Sequence, residues 1–150
     1  MIPEYKLYHG AVLSELIDVA AFDIVIGELR EEGRLSSYIL NQHIGLHIKH
    51  STARLPPWQF TITKSNLAEL FHLAKTYPHV FVALVCRTDG IAVLSIGEVA
   101  EIIDTNESDQ AWIRVERSRR QQYSISGNGA ALKGKKSKGV SAILELLLKR

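Results

Sequence analysis

Apolar and polar residues alternate along this chain with two periods, and each change of period marks a new element. Over residues 9–20, Val12, Leu13, Leu16, Ile17 and Val19 recur at helical spacing while Ser14, Glu15 and Asp18 stay polar, which predicts a short amphipathic helix. From residue 22 to 27 the period drops to two, with Phe22, Ile24 and Ile26 on one face of a strand and Asp23 and Val25 on the other. Residues 28–34 read as a charged turn around Gly33. A second β segment is clearest over 44–50. There Ile44, Leu46 and Ile48 point one way, and His43, Gly45, His47 and Lys49 the other.

Pro56-Pro57 keeps residues 51–58 irregular, and residues 59–63 alternate again with Phe60 and Ile62 inward. Thr63 or Ser65 can cap a helix over 66–77, and the helix dipole favours Glu69 near its start. Its expected buried stripe is Leu67, Leu70, Phe71 and Ala74, and Pro78 ends it. Residues 79–86 are apolar on both faces, as a central covered strand requires. Asp89-Gly90 predicts a hairpin leading into a strand at 91–96. A short helix at 97–103, exposed strands at 112–115 and 122–126, a flexible Gly-, Lys- and Ser-rich loop at 127–139 and a closing helix at 140–149 complete the chain. The predicted class is α/β: a single domain with a central mixed sheet flanked by helices, in the order α-β-β-β-α-β-β-α-β-β-α.

Composition bounds the function classes. A length of 150 residues with 46% hydrophobic content suits one globular domain. No apolar run approaches the roughly 18–20 residues of a membrane helix. The first ten residues lack the basic and apolar regions of a secretory signal, so a cytoplasmic protein is expected. Cys86 is the single cysteine, which excludes an internal disulfide and suits a small buried hydrophobe.

Charge changes the picture through its distribution, because the net charge is only +2. Residues 114–138 carry eight Lys or Arg against one acid, Glu116. Arg117, Arg119, Arg120, Lys133, Lys135, Lys136 and Lys138 are therefore candidates for contacting DNA phosphates. The same run also fits a solvated face with a mobile loop.

The candidate chemistry lies earlier in the chain. His47 and Lys49 are two apart on one strand and emerge on one face. Should the Asp23 strand pair with that face, an acid, an imidazole and an ammonium converge, with Glu15 able to join from the preceding helix. Asp23 and Glu15 offer the oxygen ligands that a hard Mg²⁺ or Mn²⁺ ion needs. Such an ion activates water and polarises a phosphate, and a lysine beside it stabilises the developing charge. The plain alternative is a strand-edge acid and two residues on the solvated side of a sheet. His43, His47 and His50 do not make a zinc site, because His47 and His50 fall on opposite faces and no cysteine is near.

This layout resembles the PD-(D/E)XK, or restriction-endonuclease-like, nucleases, and within them the archaeal-type Holliday-junction resolvases. Residues 8–17 resemble the opening helix with its acid, here Glu15. Residues 22–27 resemble the strand bearing the metal-binding Asp, here Asp23, and residues 45–52 the acid-x-Lys strand, here His47 and Lys49. Trp58 to Cys86 follows the family's loop, strand, helix and apolar strand, and residues 139–147 resemble its C-terminal helix. The resemblance implies a restriction-endonuclease-like core and a Mg²⁺- or Mn²⁺-dependent DNA nuclease of defence or repair, acting as a homodimer. Asp23, His47 and Glu15 would hold metal and Lys49 would stabilise the transition state. Two departures stand out: His47 replaces the acid, a place where some relatives carry Gln, and Glu15 sits closer to Asp23 than in the resolvases. They point to the alternative of a degenerate nuclease fold that binds nucleic acid or protein without cutting.

Overall fold

Helix α1 spans Glu4–Ala20 and buries Val12, Leu16 and Ala20, so it begins before the apolar stripe does. The computed structural model describes all residues except Glu32, 107–109, Arg119 and 149–150, and it leaves out the side chain of Ser36. After α1 the chain stays irregular to residue 25, and strand β1 runs Ile26–Glu31. This corrects the strand expected at 22–27. The partner strand β2, Arg34–Leu40, ends with Leu40 opposite Ile26, and beyond that point Val25 is tied through Asn41.

The charged turn expected at 28–34 is instead a β1–β2 hairpin with a register shift between Leu29 and Arg30. Its charges read as a turn because β1 is an edge strand, where charged side chains block further pairing.

The other elements are β3 (Ile44–Ser51), β4 (Trp58–Ile62), α2 (Lys64–Thr76), β5 (His79–Cys86), β6 (Gly90–Ser95), α3 (Ile96–Ile102), β7 (Ala111–Glu116), β8 (Ser124–Gly127) and α4 (Ser141–Leu148). One sheet has the order β1-β2-β3-β5-β6, with β3 and β5 parallel and the other pairs antiparallel. The chain is thus α/β with a central mixed sheet flanked by helices. A second sheet, β4-β7-β8, takes the late strands, for which the sequence pattern indicates no partner.

Strand β5 divides two cores. Val80, Val82, Leu84 and Cys86 face Leu70 and Leu73 of α2 together with Trp58, Phe60 and Ile113 of the second sheet. Phe81, Ala83 and Val85 face Val12 and Leu16 of α1 and Ile143, Leu144 and Leu147 of α4. Strand β3 follows the same division: Ile44, Leu46 and Ile48 face α1, and the alternating residues face α2. On α2 the buried residues are Leu70 and Leu73, whereas Phe71 is 55% exposed and Ala74 is exposed, which shifts the expected stripe.

A further expectation changes. The segment after β8 is not a free loop: Leu132 donates to Ile125, Tyr123 and Lys136 exchange both backbone bonds, and Gly139 donates to Ile91. The apolar runs at 91–96 and 140–148, which by composition could offer surface for a dimer to cover, are largely buried within the chain. Among the described residues no helix is long and apolar enough to cross a membrane.

Candidate functional site

Strands β2 and β3 pair only from Leu40↔Ile44 to Tyr38↔Leu46. Beyond Leu46, β3 continues beside β5 while β2 follows β1, and a wedge opens between them. The wedge holds adjoining cavities of about 490 and 530 Å³, within the range of small-ligand sites. His47 and Lys49 of β3 and Asn66 and Glu69 of α2 form its floor. Tyr5 and His9 of α1 and Arg30 and Arg34 of the hairpin form its rim.

Each floor residue is positioned by its element. His47 and Lys49 share the α2-facing side of β3, as the period-two reading requires. Asn66 is the N3 residue of a capping box with Thr63: its Oδ1 accepts the Thr63 N–H at 3.0 Å, while the Thr63 Oγ1 accepts the Asn66 N–H at 3.0 Å. That same Asn66 Oδ1 accepts from Lys49 Nζ at 2.8 Å. Glu69, one turn on, brings its Oε2 to 3.8 Å from His47 Nδ1, and Ser37 Oγ lies 3.5 Å from the same nitrogen. Burial lowers the Lys49 pKa, and the Glu69 charge partly opposes it. At the rim, burial and then the nearby His50 lower the His9 pKa, and His9 Nδ1 lies 3.0 Å from the Tyr38 hydroxyl.

The four expected chemical residues do not converge. Asp23 is exposed in the irregular stretch before β1 and lines a separate cavity of about 860 Å³ with Asn41, His43 and His79. That cavity lies where β3 and β5 begin. At the strand rise of about 3.3 Å per residue, Lys49 stands roughly 16 Å further along β3 than Ile44. Glu15 belongs to α1, on the face of the sheet opposite His47 and Lys49. The expectation that Asp23, His47 and Glu15 share a metal therefore fails on placement: Asp23 lacks the strand partner that would carry it inward, and Glu15 is in the other layer.

Among the described residues no group of three His, Cys, Asp or Glu is placed to hold a metal ion. The wedge is lined by two carboxylates, Glu31 and Glu69, and two imidazoles, His9 and His47, and no three of them converge on one point. His47 and His50 do lie on opposite faces, with His50 stacked on Tyr8 at 4.2 Å.

The basic candidates divide in two. Arg117 donates to Asp89 Oδ2 at 2.9 Å, Lys138 lies 3.2 Å from the same oxygen, and Tyr123 donates to it at 2.7 Å. Lys136 pairs with Glu98 at 2.6 Å. These cations join the β5–β6 turn and α3 to the second sheet, so they are structural. Arg120, Lys133 and Lys135 remain exposed, and Lys135 donates to Gln121 at 3.3 Å. Arg119 lies outside the described residues.

Sequence reasoning missed Ser37, Asn66 and Glu69. The available signal was the three-residue spacing of Asn66 and Glu69, which puts both on one helix face. In the sequence the helix dipole alone accounts for Glu69, which hides its second role. The chain matches no protein-family model, no curated protein and no solved structure.

Proposed function

We propose that this chain is a DNA-binding domain on a restriction-endonuclease-like layout, gripping backbone phosphate in the β2–β3 wedge. The observation that carries the reading is the place of Lys49. Its ammonium is held by Asn66 inside a cleft near the carboxyl end of the parallel pair β3 and β5. Open α/β sheets characteristically bind ligands at that end. An ammonium has three N–H donors, so one bond to Asn66 leaves others for a phosphate. The same end of the sheet carries further cations: Arg87 donates to Thr52 O at 2.7 Å, and the exposed Lys135 lines a neighbouring hollow behind Pro56 and Pro57. From β3 on, the run β3, β4, α2, β5 follows the strand, strand, helix and apolar strand of the resembled nucleases, and the β1–β2 hairpin adds a strand before it.

Lys49→Ala should weaken binding of a labelled oligodeoxynucleotide, read by fluorescence anisotropy, roughly tenfold, the equivalent of one charge-assisted hydrogen bond. Equal binding by the folded variant, or no binding by the wild type at low salt, rejects the reading.

A second reading is phosphodiester hydrolysis in the same wedge. The observation favouring it is Glu69, a carboxylate beside His47 and Lys49 that stands in for the acid missing at position 47. Incubation with Mg²⁺ or Mn²⁺ and single-stranded, duplex and branched DNA decides between the two. Cleavage abolished by Glu69→Gln selects hydrolysis; intact DNA bound through Lys49 selects binding.

A further inference from the structure

We infer that the wedge takes an unpaired nucleotide, so that the ligand is single-stranded or frayed DNA in preference to intact duplex. This rests on the DNA-binding reading and adds the form of DNA to it.

Size favours a single nucleotide. The cavity that Lys49 shares with α1 measures about 490 Å³, the scale of a small-molecule pocket, and it is bounded by α1, the β1–β2 hairpin and α2. A nucleotide fits such a space, and a base-paired duplex does not. The chemistry of its two ends agrees. One end is polar and cationic, with Lys49 held by Asn66 and with Arg34 exposed at the rim. The other is aromatic: Tyr5 and His9 line it and meet edge-on at 5.2 Å, with the buried Tyr38 behind His9 at 5.5 Å. Tyr5 is 38% exposed, so part of its ring remains accessible. A phosphate site next to aromatic rings is how single strands are held, by charge along the backbone and by stacking of bases that pairing no longer occupies.

The wedge also lacks a large excess of cations. It is lined by Arg30, Arg34 and Lys49 against Glu31 and Glu69, with Glu28 paired to Arg30 at 2.9 Å. Charge here is nearly balanced, which suits one phosphate and one base and does not suit the dense charge of a duplex surface.

The test compares a labelled oligothymidylate with a blunt duplex of equal length, for the wild type, Tyr5→Ala, Tyr5→Trp and Lys49→Ala. The expected result is tighter binding of the single strand. Tyr5→Ala should weaken the single strand roughly tenfold and leave the duplex unchanged, with Tyr5→Trp restoring it. Unchanged melting temperatures keep the comparison valid, since Tyr5 is at the surface. Equal, Lys49-dependent binding of both forms overturns this inference and keeps the DNA-binding reading. Binding of neither form overturns both.

Discussion

The Oδ1 atom of Asn66 accepts two hydrogen bonds at once, from the backbone N–H of Thr63 at 3.0 Å and from Lys49 Nζ at 2.8 Å. One oxygen therefore ties the start of α2 to the cation of the wedge. Asn66→Ala removes half of a capping box and the Lys49 partner together. We expect a loss of about 1–2 kcal/mol in denaturant unfolding and weaker DNA binding. Asn66→Asp keeps both acceptor bonds and puts an acid near a helix start, so it should restore stability. If Asn66→Ala unfolds at the wild-type denaturant concentration, the link between cap and cleft is wrong.

Asp89 controls the response to acid. Its hydrogen bond with Arg117 holds the carboxyl far below the usual carboxylate range; burial opposes this, and Tyr123 and Lys138 reinforce it. A depressed folded-state pKa contributes stability that is present above the unfolded value, near 3.9, and is lost as pH falls from there toward the folded one. Melting temperature should therefore decline below about pH 4, and Asp89→Asn should flatten that part of the curve. At neutral pH Asp89→Ala strands the fully buried Tyr123 hydroxyl and two cations. Lys138 is 44% exposed, so water offsets part of the loss and we expect about 2 kcal/mol.

Much of this fold was legible because its signals were local. The doubly apolar run of β5, the period of β3 around Lys49 and the Thr63 cap each depend on neighbours within a few residues. Asp23 shows where that ends. Its alternation with Phe22 and Ile24 is real, but a strand needs a partner, and the register of β2 stops at Ile26. The late glycines show the same limit. A Cβ on Gly127 would collide with the Ile102 carbonyl, and one on Gly129 would lie 2.9 Å from the Asp104 nitrogen. These glycines permit close backbone approach, whereas composition alone suggests looseness. Of the wedge, His47 and Lys49 were legible from period two. Glu69 and Asn66 were hidden because they come from another element, and only tertiary packing brings α2 beside β3.

Two glycines should respond in opposite directions. A Cβ at Gly90 would lie 2.7 Å from the Tyr123 hydroxyl, which is fixed by Asp89, and 3.0 Å from Lys138 Cδ. Gly90→Ala should cost about 1–3 kcal/mol through overpacking. Gly10 sits inside α1 with nothing within 4 Å of a Cβ. Gly10→Ala should stabilise by about 0.5–1 kcal/mol through helix propensity. Thermal unfolding of the pair checks both, and equal shifts of the same sign would contradict the packing described around Tyr123.

The basic segment offers the sharpest separation of structural from binding roles, because its lysines divide into two pairs. Lys136 and Lys138 reach Glu98 and Asp89, while Lys133 and Lys135 point to solvent. A four-fold alanine variant would mix the two effects. The double variant Lys136→Ala, Lys138→Ala should lower the melting temperature, because Glu98 and Asp89 both lose cations that hold their carboxyls low. Burial alone would raise Glu98, and Lys136 with the Ser95 cap outweighs it. The double variant Lys133→Ala, Lys135→Ala should leave stability within about 0.5 kcal/mol, as exposed charges do. Its DNA binding should weaken about equally across sequences, and the slope of log affinity against log salt should flatten by roughly 0.9 for each duplex phosphate no longer neutralised. An unchanged slope in this second variant would remove the segment from the DNA interface and leave Lys49 as the phosphate-binding group. A destabilised second variant would instead show that Lys133 or Lys135 carries structural weight that its exposed position does not reveal.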